Sequence, residues 1–280
     1  MEGPMPSAAD LEAAADELAA KGRTAEAGDK YEEAAAAREA EGNPGAAAQD
    51  HEFAARLHEG LAAQAKANGN AGAEHAEAAD AKSENTKAAD DWRGEAAKRD
   101  SAGDTAGAAA AWDAAARAYA RAKEWSKCAA SHEAAALRMA QLAGPHESLG
   151  HTLESIAKAK EKAARNYEKM SDPGNKPGAA ELDRLAALWY DLAAKDENQA
   201  SDELAIAAKA HQRAAKFWYL AWAAYKDAGD NAAADRAAQR ITAEDDAWDK
   251  IGKEAGAASR RADSDQRKSE DEAREAEKDK

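Results

Sequence analysis

The 280-residue chain contains no valine, only 4 isoleucines, 2 phenylalanines and 14 leucines. A β-sheet draws on branched and aromatic side chains, so this scarcity excludes a substantial sheet. The single cysteine, Cys128, excludes an intrachain disulfide and fits a reducing compartment; it reads as a small buried helix residue. No apolar run approaches the ~20 residues that a membrane span needs. The opening stretch "MEGPMPSAADLEAAADELAAK" has neither a basic n-region nor an apolar h-region, and the expectation is a soluble cytoplasmic protein. Positive charge is also in deficit: the net charge is −15, of which −11 falls in residues 1–100 and −4 in 101–280. Nucleic acid and anionic membrane are therefore not expected partners.

What is present is alanine, 86 residues of it. Alanine gives up no side-chain entropy in a helix, so the fold class is all-α. Low Leu, Ile and Phe content with high net charge is also a signature of disorder. Seven Trp, six Tyr and a helical spacing of apolar residues argue for a folded chain with thin cores.

Turn signals at Gly22, "GNPG" 42–45, "NGN" 68–70, "SAGD" 101–104, "KEW" 123–125, "GP" 144–145, "SDPGNKPG" 171–178, "KDEN" 195–198 and "AGD" 228–230 delimit about ten helices. Asp104, Ser126, Ser201 and Asp230 are expected N-caps, and Pro44 suits an early helical position.

A single constant shift of the chain against itself superposes Gly22 on Gly103, Thr24 on Thr105, Tyr31 on Trp112 and His51-Glu52 on His132-Glu133. A looser third copy places Trp189 and His211 in the same roles. Self-similarity of this kind predicts stacked helical units. They are placed at 22–101, 102–176 and 177–256 within one repeat domain over 1–256, after an N-terminal helix 7–21. Residues 257–280, rich in both charge signs, are expected to be a solvated helix extension or a disordered tail. Within each copy a small residue lies five positions after the turn, a large one nine and a small one twelve. All three fall on one helix stripe, so the ring fills a gap that the small residues leave. Tyr31, His51, Trp112 and His132 are assigned to that packing.

Glycine-aspartate followed by Ala, an aromatic residue and Ala resembles the second-helix half of a tetratricopeptide repeat. The stretch "AARAYARAKEWSKCAASHEAAALRMAQL", 114–142, is similar to helix pairs of the soluble NSF attachment proteins. The resemblance implies an antiparallel helical-repeat superhelix and a general role in binding other proteins. The markers of the family's first helix are absent before Gly103, and the segments by which an attachment protein touches membrane and its ATPase are not found. Vesicle-fusion activity is therefore not carried over.

Catalytic motifs are not found: no HExxH, glycine-rich phosphate loop, G-x-S-x-G or Cys-x-x-Cys. The carboxylate pairs Asp90-Asp91 and Asp245-Asp246 read as solvated surface. "KFWYLAWAAY", 216–225, reads as packed core, with an exposed docking patch as the other reading. The expectation is a non-enzymatic adaptor or scaffold without cofactor or metal. It binds a protein or peptide partner through Trp92, Tyr119, Arg121 and Trp125, and homo-oligomers are compatible with it. One alternative is a self-assembling or secreted structural helical protein, prompted by "WRG" 92–94. A second is a metal-binding bundle using His51, His58 or His151, since His51 and His58 share a helix face and "HTLE" 151–154 spaces two ligands three apart.

Overall fold

The computed structural model describes residues 6–169 and 176–278 and is all-α. Eight helices are present among these residues: α1 Ala8–Ala20, α2 Thr24–Ala40, α3 Pro44–Ala67, α4 Ala71–Ser101, α5 Thr105–Arg121, α6 Trp125–Lys169, α7 Lys176–Asp227 and α8 Asn231–Lys278. Residues 171–175 of the expected turn at 171–178 lie outside the described residues, and 176–178 open α7.

The difference from ten helices arises at two of the expected turns. "GP" does not end α6, which passes through Pro145. "KDEN" lies inside α7, where Glu197 is buried and accepts a hydrogen bond from the Arg261 guanidinium of α8 at 3.0 Å. Asp104 and Asp230 do cap their helices, accepting from Gly107 and Ala233, and Pro44 opens α3. Ser126 lies within the first turn of α6 instead, and the Ser201 hydroxyl donates to the Ala255 carbonyl of α8.

The described turns share one device. Gly22, Gly42, Gly69, Gly103, Lys123 and Gly229 all have positive φ, between 60° and 76°. In each turn the next amide reaches back to a carbonyl five positions earlier, as Asp104 does to Arg99 and Glu124 to Tyr119. This is the Schellman closure, which satisfies the last carbonyls of a helix and favours glycine because a Cβ is strained there. The interval from Gly22 to Gly103 equals that from Gly42 to Lys123, so the same backbone geometry recurs with the period of the sequence repeat. From Gly69 to Gly229 the separation is close to twice that period.

Contacts divide the chain into two compact units, Met1–Ala136 with Ala210–Asp245 and Leu137–Lys209 with Asp246–Lys280. In the first, α1 to α5 pack successively, each against the next. Its core is built from alanines with no exposed surface, joined by Tyr119, Cys128 and the half-buried Trp92 and Phe217. The small–large–small stripes occupy this interior. Ala27, Tyr31 and Ala34 are buried, as are Ala47, His51 and Ala54 and also Cys128, His132 and Ala135; Trp112 is half-buried between buried Ala108 and Ala115. Tyr31 stacks on Phe53 and donates its hydroxyl proton to Asp16 of α1.

The second unit joins parts of α6, α7 and α8 through Ala143, Ala200, Leu204, Ala255 and Ala258. Residues 257–278 complete α8, with Ala258, Ala262, Asp265 and Ala276 buried. Lys268 pairs with Glu154 of α6 at 2.8 Å and with Asp265 of its own helix at 2.9 Å, so part of the charge in this segment forms interhelical contacts. Gly150 fits tightly here, since a Cβ at that position would lie 2.8 Å from the buried Glu197 side chain.

Lys123 is the one non-glycine residue with positive φ among the described residues. A left-handed L-residue costs roughly 1–2 kcal/mol, and the extra freedom of an unfolded glycine returns part of that. Lys123→Gly is therefore expected to raise stability by about 0.5–1 kcal/mol, and Gly103→Ala to lower it by about 1–2 kcal/mol. Urea denaturation followed by circular dichroism checks both.

Candidate functional site

Two features of the first unit bring chemistry-bearing side chains together. One is a groove of about 540 Å³ between the first turn of α6, the last turns of α7 and the first turns of α8. Trp218 and Tyr225 come from the aromatic run of α7, Arg236 and Arg240 from one face of α8, and Ser126 from α6. A recess of about 150 Å³ containing Trp125 and Ala221 adjoins it through Ser126 and Tyr225. The rings are held by stacking: Trp125 lies on Phe217 at 6.0 Å between centroids, and Phe217 on buried His132 at 5.5 Å. The run 216–225 is thus divided, with Phe217 packed against the core cluster, Trp218 and Tyr225 facing the groove, and Tyr219 exposed.

The groove's polar groups are unevenly satisfied. Arg240 is paired with Glu133 at 3.0 Å. Arg236 makes no ion pair among the described residues, and the indole N–H of Trp218 is buried without a hydrogen-bond partner. An unmet buried donor costs roughly 1–3 kcal/mol.

The other feature is a polar seam through the helices α2, α3 and α4. His51 and His58, two turns apart on α3, face Glu77, Asp80, Glu84, Lys87 and Asp91 of α4, a spacing that puts all five on one helix face. His51 Nδ1 lies 2.6 Å from Glu84 Oε2, and its Nε2 lies 3.3 Å from Glu39 of α2 and 3.7 Å from Asp91. His58 Nδ1 is 2.8 Å from Glu77, and its Nε2 is 3.6 Å from Glu32. The histidines share a face without converging, since each meets its own carboxylates. The same bond recurs further along the chain, where buried His211 lies 2.7 Å from buried Glu244. His211 follows His51 at the interval that separates Gly229 from Gly69.

Electrostatics follow from this burial. Desolvation pulls the pKa of His51 down, but Glu84, Glu39 and Asp91 outweigh it and the net shift is upward. His58 behaves alike, with Glu77, Asp80 and Glu32 prevailing over burial. Burial, with Glu39 adding to it, pushes Asp91 up to about 6, and burial raises Asp50 to about 6 despite its ion pair with Arg38. Asp91, read from sequence as solvated surface, is thus half-buried, with a fully enclosed Oδ2 that lacks a hydrogen-bond partner.

Of the residues expected to touch a partner, Trp92 and Arg121 converge on Glu52, and Trp92 packs against the core cluster that holds Tyr119. Trp92 donates to Glu52 at 3.1 Å, and Arg121 is held by Asn85 at 2.8 Å and Glu52 at 3.0 Å. Tyr119 is fully buried, donating to Asp90 and accepting from Arg93, and belongs to the core cluster. Trp125 alone of the four borders the groove. His151 and Glu154, spaced as two ligands, face different partners: His151 lies 3.8 Å from Glu197, and Glu154 pairs with Lys158 and Lys268. Cys128 is buried, and desolvation pushes its thiol up to about 12, so it stays protonated. Arg236 escaped the sequence reading because the groove forms only when α7 and α8 close as a hairpin, whereas Trp218 lies in the 216–225 run, for which an exposed docking patch is the other reading. The heptad spacing of Glu32 and Glu39, mirrored on α4, was the available signal for the seam.

No protein-family model and no curated protein matches the chain. Among the described residues, no helix is long and apolar enough to cross a membrane.

A histidine whose folded pKa is raised contributes stability that is complete below its unfolded value near 6.5 and is lost as pH rises through the folded value. Asp50, raised from 3.8 to about 6, also binds its proton more tightly when folded, so its contribution falls between those values as pH rises. Melting temperature is expected to decline from about pH 6 towards alkaline pH, and His58→Gln to flatten the part above 6.5. Melting curves at fixed ionic strength check this.

Proposed function

We propose that the protein is a non-catalytic adaptor, a tetratricopeptide-like helical superhelix that docks an acidic polypeptide segment carrying an apolar or aromatic anchor. The architectural part rests on two recurrences, of turn geometry from Gly22 to Gly103 and of the His–Glu bond at about twice that interval, which is how stacked helical units behave. The observation that carries the binding part is the groove. It offers an exposed arginine without an ion pair and two aromatic walls on a chain whose net charge is −15. Arginine and aromatic residues are the types that dominate binding energy at protein interfaces, and a carboxylate is the natural ligand of a guanidinium. Cys128, the one thiol, is enclosed with its pKa raised by burial and does not serve as a thiolate nucleophile in this reading.

The test is fluorescence polarisation with labelled Asp/Glu-rich nonapeptides, each bearing one Leu, Phe or Trp. A subset should bind more weakly at higher salt, and Arg236→Glu or Tyr225→Ala should weaken binding at least about tenfold, or ~1.4 kcal/mol. Phe53→Ala, remote from the groove in sequence and lining, should leave it unchanged. If no peptide binds, or if Arg236→Glu binds as well as the parent chain, the groove is not the docking surface.

A further inference from the structure

We propose that Glu39, His51 and Asp91 form a binding site for a divalent ion of the zinc type, with water completing the coordination. One donor atom of each residue lies within 4.8 Å of the other two. The distances from His51 Nε2, 3.3 Å to Glu39 and 3.7 Å to Asp91, are long for charge-assisted hydrogen bonds, which run about 2.7–2.9 Å. Two ligands each about 2.0–2.1 Å from a tetrahedral zinc ion stand roughly 3.3 Å apart, so the Glu39 spacing fits an ion and the Asp91 spacing needs only a small inward movement.

The opposite ring nitrogen is already committed. Glu84 takes Nδ1 at 2.6 Å and is itself held by Lys87 at 2.5 Å. A carboxylate on the far nitrogen fixes the tautomer that presents the Nε2 lone pair to a metal and raises its basicity.

Two further observations separate this cluster from ordinary charge packing. The Asp91 Oδ2 atom is enclosed and without a hydrogen-bond partner. The repeat supplies an internal comparison: His211–Glu244 reproduces His51–Glu84, but the shift that carries His51 onto His211 carries Glu39 onto Gln199 and Asp91 onto Ile251. The helix-to-helix bond therefore holds in a copy that lacks both extra carboxylates. The convergence of Glu39 and Asp91 on Nε2 is therefore not a requirement of that bond.

The test uses the full chain, stripped of metal, in titration calorimetry with Zn²⁺ and in visible absorption with Co²⁺. One ion per chain is expected, with a Co²⁺ ligand-field band. Glu39→Gln and Asp91→Asn should each weaken binding at least tenfold while helical circular dichroism is unchanged. Glu84→Gln, acting through His51, should weaken it about 10- to 100-fold. His211→Gln should leave it as it is. Absence of stoichiometric binding overturns the proposal, as does binding that survives Asp91→Asn. An ion lost only with Glu77→Gln would lie instead at His58, Glu77 and Asp80, the other cluster of similar spacing, and would also overturn it.

Discussion

Contact between alanine-faced helices is the constraint on which the rest depends. When the facing positions are methyl groups, backbones approach closely and each alanine buries little apolar area, so a core of Ala27, Ala34, Ala88, Ala115 and their neighbours contributes modestly per residue. Every large side chain must then fit a gap between methyls, and every polar one must find its partner on the next helix. Tyr31 reaches Asp16, Tyr119 reaches Asp90, and His51 reaches Glu84. The thin core leaves such bonds to specify which helix faces which.

This division of labour explains how a chain with one-third charged residues folds. Many of its ionic groups are structural ties and not solvated surface. Glu84, Glu197, Glu244 and Asp265 are buried acids, each beside a histidine, arginine or lysine drawn from its own or a neighbouring helix. Removing one partner of such a pair leaves an uncompensated charge, which is costly even where the intact pair is nearly neutral in energy. The seam between α2, α3 and α4 is the densest case, and there the carboxylates exceed what the histidines require. The aromatic groove is the reverse: its arginines exceed the carboxylates at hand. One surplus suits a cation and the other an anion.

Much of the architecture was legible along the chain. Alanine content identified helices, glycine and asparagine marked most of their ends, Asp104 and Asp230 announced their caps, and the interval between Gly22 and Gly103 was visible before any coordinates. Where local reading failed, long-range contact had overridden local chemistry. "KDEN" has the composition of a turn, yet Glu197 is fixed by Arg261 of the following helix, and α7 continues through it. Ser201 has the form of a cap but bonds to a carbonyl of α8.

The sequence alone determined the helical class and most of the helix ends, because helix propensity, capping and left-handed turns act within a turn or two of the chain. It also determined the spacing of rings and small residues, because helical periodicity is local. Tertiary structure alone decided which charged stripes are interior, which carboxylates gather round His51 and which rings of 216–225 remain open to a ligand. Those outcomes depend on the pairing of faces from helices far apart along the chain. A stripe of Glu and Asp at heptad spacing reads the same in solvent or against a histidine until the neighbouring helix is in place.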